Sequence, residues 1–437
     1  MSNSDGASKP LGGRVALVGT GSRAAMFVRG IVARPQSQVV AICEPNSVRA
    51  NYYNELLVQL GAPKVPIYPP DHFKEMLSKE KVETLVVTCV DALHDLYIVP
   101  ALEAGVRVLT EKPMTTDVDK CRRILETVQR TGQHVTVTFN YRHLSRSPVL
   151  SVHFEWLLDT VHGADYFRRW HRQKTNSGGL MVHKSGHHFD LVNWWINARP
   201  VTVAGMGKLA FYGDKAGQEH GWAKDYERAR GNQVAKDDPF AIILENDETL
   251  KKIYADAEGE DGYHRDQNVF APGIGIEDDM AVLVQYNTGA TLSYHLTAYS
   301  PWEGYRVMFN GSHGRLELEV VESTHRSASD PLTTGGQIHG TAALPNPGPV
   351  TVKIQRLWEP AQELPVEYEH GDHGGGDKRM LNVLFGPLPG ESVDTGDASK
   401  QSADERDGTY ALAVGLMANE SFKTGKFVTF ESLGLDI

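Results

Sequence analysis

The chain has 437 residues, 41% of them hydrophobic, and a net charge of −11, so it is long enough to form two globular domains. The negative charge argues against a general nucleic-acid or anionic-membrane binder, and no apolar run is long enough to span a bilayer. The opening segment, MSNSDGASKPLGG, lacks the apolar stretch of a secretory signal, and the three cysteines do not make a disulfide framework. We therefore expect a cytoplasmic protein that binds neither nucleic acid nor membranes.

The first third of the chain alternates short apolar strands with helices. Strands are predicted in RVALVG, SQVVAIC, VETLVVT, VRVLT and HVTVTF, with helical spacing between them. This rhythm is typical of βαβ units and a parallel sheet. We predict a doubly wound parallel sheet over residues 12–141.

The first turn of that sheet carries a dinucleotide-binding motif. GTGSRA places Gly19, Gly21 and Ala24 in a G-x-G-x-x-A pattern, where the glycines permit the turn and let the backbone approach a pyrophosphate. Glu44 ends the next strand, near the spacing of about 20 residues expected for an acid that binds the ribose hydroxyls. The domain is therefore predicted to be a Rossmann domain that binds NAD, although Arg49, one helical turn further on, keeps NADP open.

The segment VRVLTEKPM (Val106–Met114) ends a buried strand with a glutamate, a lysine and a proline. Because ligands of open parallel sheets bind at the carboxyl ends of the strands, we expect Glu111 and Lys112 near the nicotinamide. Pro113 disfavours a helical conformation at Lys112 and so defines its direction. Desolvation beside a positively charged ring would lower the pKa of Lys112 and let it exchange a proton with a substrate hydroxyl. An ordinary exposed ion pair is the alternative.

The stretch GGLMVHKSGHHFDLVNWW (Gly178–Trp195) is predicted to be a helix. One stripe of this helix contains His183, His187, Asp190 and Trp194. The first two have metal-ligand spacing, but Lys184 replaces the glutamate of H-E-x-x-H, so we predict no metal. His188 fits a packed or capping histidine, and Asp190 fits a group that orients a histidine or the backbone.

The residues around this helix are strongly cationic. Between Tyr166 and Phe189 there are five lysines and arginines and four histidines, with no acid. Some of these cations fit a solvated strand edge, and the others fit a receptor for an anionic group on the substrate. Arg172 and Lys184 are our leading candidates for that receptor, and the anion is expected on C6 of a sugar, as a carboxylate, sulfonate or phosphate.

The second part of the chain predicts an α/β domain with a mostly antiparallel open sheet, over residues 142–437. Met280–Tyr299 alternates around a turn at Asn287–Gly289, and a second hairpin is predicted with turn residues Asn310 and Gly311. Gly207–Pro272 is charged and poorly periodic, which indicates an insertion between sheet elements. Ser402–Glu405 has the pattern of a capping box and predicts a helix that ends near Thr424.

HDLYIVPALEAGVRVLTEKP resembles the signature of the Gfo/Idh/MocA oxidoreductases, the relatives of glucose–fructose oxidoreductase and inositol dehydrogenase. The signature has a loop histidine, here His94, a helix that ends in Ala104–Gly105, and a strand that runs into Glu-Lys-Pro. TFNYRH (Thr138–His143) resembles the family's segment beside the nicotinamide, and FNGSHGRLEL is similar to the family's G-T-x-G-x-L-E. The match covers most of residues 14–320.

The resemblance implies that Lys112 is catalytic and that the Lys112–Pro113 peptide is cis. His187 matches the histidine of the family's substrate helix, whereas His183 stands where the family has an aspartate, which puts the usual proton relay in doubt. DHGGGDK, which contains His373 and Asp377, is similar to a His-Gly-Gly-x-Asp motif of the branch that hydrolyses glycosides with bound NAD. A glycine loop that leads into a helix at Lys378 is the alternative.

We predict NAD-dependent oxidation of a hydroxyl of a sugar or glycoside that bears an anionic group, by a homo-oligomer that assembles through its C-terminal sheet. The alternative is an NAD-dependent glycoside hydrolase on an anionic glycoside such as a sulfosugar or uronic acid glycoside; its steps are oxidation, elimination, hydration and reduction, with the cofactor recycled. A non-catalytic NAD-bound regulator is disfavoured by the intact Glu-Lys-Pro.

The predicted catalytic residues are Lys112, His187, His183 and Tyr141. The predicted cofactor residues are Gly19, Thr20, Gly21, Ser22, Arg23, Glu44, Arg49, Cys89, His94, Glu111, Lys112, Pro113 and Asn140. The predicted substrate residues are Arg172, Lys174, Lys184, His188, Asp190 and His373.

Overall fold

The computed structural model describes residues 12–139, 149–327, 347–366, 376–390 and 402–437. Three of the predicted site residues, Asn140, Tyr141 and His373, lie outside these ranges. No helix in the described part of the chain is both long and apolar enough to cross a membrane.

The N-terminal part is a six-stranded parallel sheet with the strand order β3-β2-β1-β4-β5-β6, which confirms the Rossmann prediction. Its strands are β1 Gly13–Val18, β2 Ser37–Cys43, β3 Ile67–Tyr68, β4 Thr84–Val87, β5 Arg107–Thr110 and β6 Val135–Val137. Its helices are α1 Ala24–Val32, α2 Ser47–Gln59, α3 Phe73–Lys79, α4 His94–Glu103 and α5 Val118–Thr131. The order reverses between β1 and β4, so the crevice at their carboxyl ends is the expected ligand site.

The second sheet has nine strands in the order β14-β13-β12-β11-β7-β10-β9-β8-β15, and every pairing except β7 with β10 is antiparallel. Its strands are β7 Val149–Asp159, β8 Pro200–Lys208, β9 Asp279–Tyr286, β10 Thr291–Ser300, β11 Glu303–Gly311, β12 Gly314–Ser323, β13 Val350–Arg356, β14 Gln362–Leu364 and β15 Val428–Thr429. The prediction of a mostly antiparallel sheet is therefore confirmed.

Helices cover one face of the second sheet, which is why β9 alternates between buried and exposed residues. The covering helices are α6 Thr160–Arg168, α9 Gly186–Ile196 and α14 Glu405–Thr424, and the short helices α7 Lys174–Ser177 and α8 Leu180–His183 lie beside them. Helix α14 packs on α8, α9 and β8 and also reaches β6 of the first sheet. One apolar core therefore runs through both parts of the molecule, from Val108 in β5 to Leu296 in β10.

The predicted insertion lies between β8 and β9 and forms a small unit of its own. It contains α10 Asp214–Glu219, α11 Glu248–Leu250, a π-helix at Lys251–Ala255 and α12 Glu258–Asp261. Apolar side chains that include Ile242, Leu250 and Ile253 form a separate buried cluster, and Tyr52 of α2 packs against it. The insertion is therefore attached to the Rossmann domain. A later helix, α13 Gly376–Phe385, also packs on that domain, against α1.

Three local predictions need correction. The turn of the second hairpin is Ser312–His313, because Gly311 pairs with Gly314 across it. Helix α14 begins and ends close to the predicted residues, but its capping box is formed by Asp404 and Asp407, whose side chains each bond the other's backbone N–H. The predicted substrate helix is broken, since α8 ends at His183 and α9 begins at Gly186.

Candidate active site

The turn after β1 has the geometry that its glycine motif predicts. Gly19 has φ +83°, and a Cβ there would lie 2.6 Å from the backbone N and Cα of Cys89. Only glycine fits, because this turn runs against the turn that follows β4. The hydroxyl of Tyr53 donates to the carbonyl of Gly21 at 2.6 Å and holds the far side of the turn. Helix α1 begins directly afterwards, so its N-terminus faces the expected position of a pyrophosphate.

Glu44 follows β2, and its carboxylate is buried against the same turn. Oε2 accepts hydrogen bonds from the backbone N–H and the hydroxyl of Thr20, at 2.9 and 2.8 Å, and Oε1 accepts from the backbone N–H of Asn46 at 3.0 Å. These bonds hold the acid at the end of β2, where dinucleotide-binding domains place the adenosine ribose.

Arg49, the residue that left NADP open, is bound between two carboxylates. Its guanidinium donates to Glu44 at 3.1 Å and to Asp261 of the insertion at 2.6 Å. A ribose 2′-phosphate would compete with Asp261 for this arginine and would meet its negative charge. The residues around this end of the site therefore fit NAD.

Arg23 in the glycine turn joins three distant parts of the chain. It donates to Glu111 at 2.7 Å and, through two nitrogens, to Asp377 at 2.8 and 2.9 Å. Because these carboxylates take much of its donor capacity, a direct bond from Arg23 to the cofactor has no support in this geometry. Asp377 belongs to the DHGGGDK stretch, so that part of the chain reaches the cofactor end of the site.

Lys112 lies at the carboxyl end of β5, and the Lys112–Pro113 peptide is cis. Its ammonium donates to the carbonyl oxygen of His183 at 3.2 Å, which brings the two domains together at this point. Burial lowers the pKa of Lys112 below that of a free lysine, and the charges of Glu111 and Asp91 oppose the shift. This surrounding suits a proton acceptor and differs from that of an exposed ion pair.

His183 is bound by a residue that the sequence analysis does not identify. Its Nδ1 lies 2.5 Å from Oδ2 of Asp91, in the turn after β4, and its ring meets that of His171 edge to face at 4.1 Å. Burial raises the pKa of Asp91 and lowers the pKa of His183, because it disfavours the charged form of each group. A carboxylate of the Rossmann domain therefore contacts His183, which stands where the sequence resemblance leads us to expect an aspartate.

His187 faces a different neighbour. Its ring packs edge to face on Phe139, at the end of the first domain, with centroids 5.9 Å apart. The prediction that His183 and His187 share one continuous helical stripe is wrong, because the chain breaks its helix at Lys184 and Ser185. Both histidines are nevertheless buried at the junction of the two domains, close to Lys112 in the case of His183.

His94 packs beneath the two turns that follow β4 and β5. It is fully buried, and its two ring nitrogens lie 3.0 Å from the carbonyl oxygen of Pro113 and 3.3 Å from that of Cys89. We infer that it positions the Lys112 turn and the turn after β4, since both ring nitrogens lie against backbone carbonyls and the ring N–H donates to one of them. A direct contact of His94 with the cofactor has no support in this geometry.

The cations near the substrate helices are mostly bound by groups from outside the stretch Tyr166–Phe189, so the absence of an acid within it does not leave them for the substrate. Asp165 binds Arg169 at 2.9 Å and lies 3.5 Å from Arg168, and Glu277 binds Lys174. Arg172 donates to the carbonyl oxygens of Ala271 and Pro272 and to Gln267. These partners come from just before the cationic stretch or from a hundred residues later, so the local sequence does not reveal them.

Lys184 differs from the other cations of this stretch in its surroundings, which are aromatic rings. It is buried, and its ammonium lies 4.8 Å from the ring centroid of Trp156 and 6.0 Å from that of Tyr166. Among the residues that the structure describes, no carboxylate comes within ion-pair distance of it. Burial and the charge of Lys112 lower the pKa of Lys184 to about 7, while Glu322 and Glu303 act in the opposite direction.

His188 and Asp190, the other predicted substrate residues that the structure describes, are enclosed. Nδ1 of His188 lies 2.9 Å from the hydroxyl of Tyr294, and its ring packs on Trp156 with centroids 4.2 Å apart. This is the packed position that the sequence favours, and it leaves a substrate contact of His188 without support. Asp190 is also buried.

Asp91, His171 and His183 are also a potential donor set for a cation, with one ligand atom each within 4.8 Å of the others. The positive charges of Lys112 and Arg169 act on both Asp91 and His183. They oppose a divalent ion at this position, so we interpret the cluster as a histidine oriented by a carboxylate. The absence of a metal stays a prediction.

Asp91 could have been found from the sequence by the rule that ligands bind at strand ends. Asp91 follows β4 just as Lys112 follows β5, so the parallel sheet brings them to one edge. His171 has no such signal, because its place depends on how the short helices fold over the second sheet.

Comparison with known proteins agrees with this arrangement. Residues 13–139 match the family described as "Oxidoreductase family, NAD-binding Rossmann fold", and residues 147–430 match its "C-terminal alpha/beta domain". YteT of Bacillus subtilis, which its name describes as an oxidoreductase, is 32% identical over 430 residues, which cover 92% of this chain and 94% of YteT. The alpha-N-acetylgalactosaminidase of Bacteroides fragilis is 27% identical over 129 residues, 29% of this chain and 30% of that protein.

Among solved structures, the WlbA dehydrogenase of Bordetella pertussis in complex with NADH and UDP-GlcNAcA has a TM-score of 0.58 at 15% identity, over 96% of this chain and 99% of WlbA. At this identity the likeness shows the shared fold alone. Together with the two matched domains and the geometry of the glycine turn, these findings establish that the chain belongs to the Gfo/Idh/MocA family of NAD-binding oxidoreductases.

Proposed function

We propose that this protein oxidises a hydroxyl of a sugar or glycoside with NAD, and that Lys112 accepts the hydroxyl proton. The proposal is carried by the place of the Lys112 amine: it lies at the carboxyl end of β5, in contact with His183, where burial lowers its pKa. When bound, NAD supplies the oxidant, which takes a hydride from the carbon that bears the hydroxyl.

Several side chains of the protein have separate roles in the proposed reaction. Lys112 takes the proton of the hydroxyl, and its bond to the carbonyl oxygen of His183 fixes the direction of the amine. Asp91 orients the His183 ring, whose other nitrogen then donates to or accepts from the substrate. His187, the match to the family's histidine, is proposed as a second group on the hydroxyl. Tyr141 keeps its predicted place in this set, although it lies outside the described residues.

The test mixes the protein with NAD and a panel of sugars and glycosides and follows both NADH absorbance and released aglycone. Accumulating NADH with a ketone product supports the dehydrogenase. A protein that binds NAD but gives neither product with any member of a broad panel would contradict the proposal.

The same experiment tests the second candidate, a glycosidase that oxidises, eliminates, hydrates and reduces its substrate. One observation favours it: Asp377, the aspartate of the motif that resembles the NAD-dependent glycosidases, binds Arg23 in the phosphate turn. The alpha-N-acetylgalactosaminidase relative points the same way over part of the chain. Aglycone released without net NADH marks this reaction.

We further propose that the substrate carries an anionic group that binds Lys184. Fewer cations are available for this group than the sequence analysis expects, because Arg172 and Lys174 have partners within the protein. Lys184 remains, buried against aromatic rings and without a directly bonded carboxylate among the described residues. Turnover of a neutral 6-hydroxy sugar as efficient as that of its charged analogue would contradict this part.

We also propose that a second copy of this chain covers the open face of the nine-stranded sheet. Met206 and Leu283 on this face are 82% and 59% exposed, and Phe427 lies at its edge. The pair of substitutions Met206→Lys and Leu283→Glu should reduce the oligomer mass measured by light scattering, whereas Trp358→Ser, at an exposed hairpin turn, should not. A wild-type protein that is monomeric would contradict the proposal.

The three cysteines are free, which supports the predicted cytoplasmic location.

A further inference from the structure

The insertion between β8 and β9 reaches the cofactor end of the molecule at two places. At the first, the hydroxyl of Tyr254 in the π-helix lies 3.1 Å from the hydroxyl of Ser22, and a Cβ built on Gly21 would lie 3.9 Å from the same oxygen. Tyr254 is 7% exposed, and its ring is held by the apolar cluster of the insertion. A phenol is therefore fixed beside the turn whose glycines open it to a pyrophosphate.

At the second place, two acids of α12 hold the start of α2. Glu260 accepts from the backbone N–H and the hydroxyl of Ser47, both at 2.5 Å. Asp261 accepts from Arg49 at 2.6 Å and from the side-chain amide of Asn46 at 3.1 Å. We call Glu260 and Asp261 the latch. These bonds join the insertion to the residues that directly follow Glu44, which marks the adenosine end of the site.

The insertion is also braced from the substrate side. The guanidinium of Arg265 lies 5.6 Å from the ring centroid of Tyr254 and donates to Asp165 at 2.5 Å. Asp165 in turn binds Arg169 on the segment that leads to His171. The position of Tyr254 is therefore set by contacts on both sides, and its hydroxyl is pre-organised for a ligand at the turn.

We propose that the segment 251–261 is part of the cofactor site: Tyr254 donates a hydrogen bond to the pyrophosphate beside Ser22, and the latch closes the adenosine end, so that NAD stays bound between turnovers. The inference rests on the family's use of NAD and goes beyond the proposed reaction, because it assigns a binding role to the insertion. A retained cofactor suits both a slow-exchanging dehydrogenase and an enzyme that recycles NAD within each turnover.

The test measures cofactor content and release without any sugar. NAD freed from the purified protein by denaturation is counted per chain, and the release of NADH is followed by fluorescence after excess NAD is added. The variants are Tyr254→Phe, which removes the hydroxyl and keeps the ring, and Glu260→Gln with Asp261→Asn, which removes the charges of the latch. Their controls are Tyr263→Phe, the neighbouring ring at 6.0 Å, and Glu248→Gln, an exposed acid of the same insertion.

We expect the wild type to purify with NAD, Tyr254→Phe to bind NAD about tenfold more weakly, and the latch variant to release NADH about tenfold faster. Both controls should stay within about twofold of the wild type. If the latch variant fails to fold, Asp261→Asn alone replaces it, because the asparagine oxygen can still accept the hydrogen bond from Asn46. Its rate of NADH release is then compared with that of the wild type. Wild-type release from both Tyr254→Phe and a folded latch variant would overturn the inference. Because no sugar is present, these outcomes do not depend on the proposed reaction, which is tested separately by the production of NADH or aglycone.

Discussion

Oδ2 of Asp91 lies 2.5 Å from Nδ1 of His183, across the boundary between the two domains. His183 stands where the sequence resemblance leads us to expect an aspartate, and the carboxylate that contacts it belongs to the turn after β4. Lys112 bonds the carbonyl oxygen of the same His183, so residues of both domains meet at this point.

Replacing Asp91 by Asn should lower kcat about tenfold or more, because the ring of His183 loses the carboxylate that orients it. Affinity for NAD, measured by calorimetry, should change little. Asp95→Asn is the matched control, since Asp95 lies in the next turn and binds Arg123 instead. An Asp91→Asn variant with the kcat of the wild type would remove Asp91 from the mechanism.

Replacing Lys112 by Ala should lower turnover by roughly a hundredfold or more and leave NAD binding nearly intact, as expected for a lost acid–base group. The neutral amine is the reactive form in the direction of oxidation. Since burial places its pKa below the 10.5 of a free lysine, kcat/KM should rise with pH through that lowered pKa and then level off. This rising limb should be absent from the residual activity of Lys112→Ala, and its persistence there would assign it to another group.

Binding of an anionic substrate should weaken as the pH rises above about 7, the pKa of Lys184. The anion favours the protonated amine, so each pH unit above that value should cost about tenfold in affinity until another mode of binding takes over. Lys112, Glu303 and Glu322 act on Lys184 electrostatically and will broaden the transition. Calorimetry with the charged sugar, its neutral analogue and the Lys184→Met variant checks this, and equal pH dependence in all three would contradict it.

Glu44 and the acid that pairs Arg49 should make the protein prefer NAD to NADP. Calorimetry with both cofactors measures the preference directly. Asp261→Asn should narrow it, because the charge that opposes a 2′-phosphate is gone while Arg49 remains. Equal affinity of the wild type for the two cofactors would contradict the role given to Glu44.

Replacing Gly19 by Ala should destabilise the protein and weaken NAD binding, since the new Cβ would lie 2.6 Å from the backbone of Cys89. Gly61→Ala separates this clash from backbone strain: Gly61 has the same φ of +83° but nothing within 4 Å of its Cβ position. It should cost about 1–2 kcal/mol in the free energy of unfolding, and Gly19→Ala should cost more. Equal losses in urea unfolding would mean that the contact with Cys89 is unimportant.

The sequence determined the features that depend on neighbours along the chain. Strand and helix alternation gives the parallel sheet, and the glycine motif, Glu44 and Lys112 then fall at strand ends because the carboxyl ends of parallel strands share one edge. The period-two pattern around Thr288 and Gly289 likewise gives the antiparallel hairpin of β9 and β10.

The tertiary structure alone decided which charges meet. The cationic stretch looks unpaired in sequence, yet Asp165 stands one residue before it, and Glu277 and the carbonyl of Pro272 arrive from about a hundred residues later. Likewise the insertion is poorly periodic in sequence, but folding places Tyr254 beside Ser22 and Asp261 on Arg49. Ion pairs and hydrogen bonds depend on distances in space, and a local pattern contains only the separation of residues along the chain.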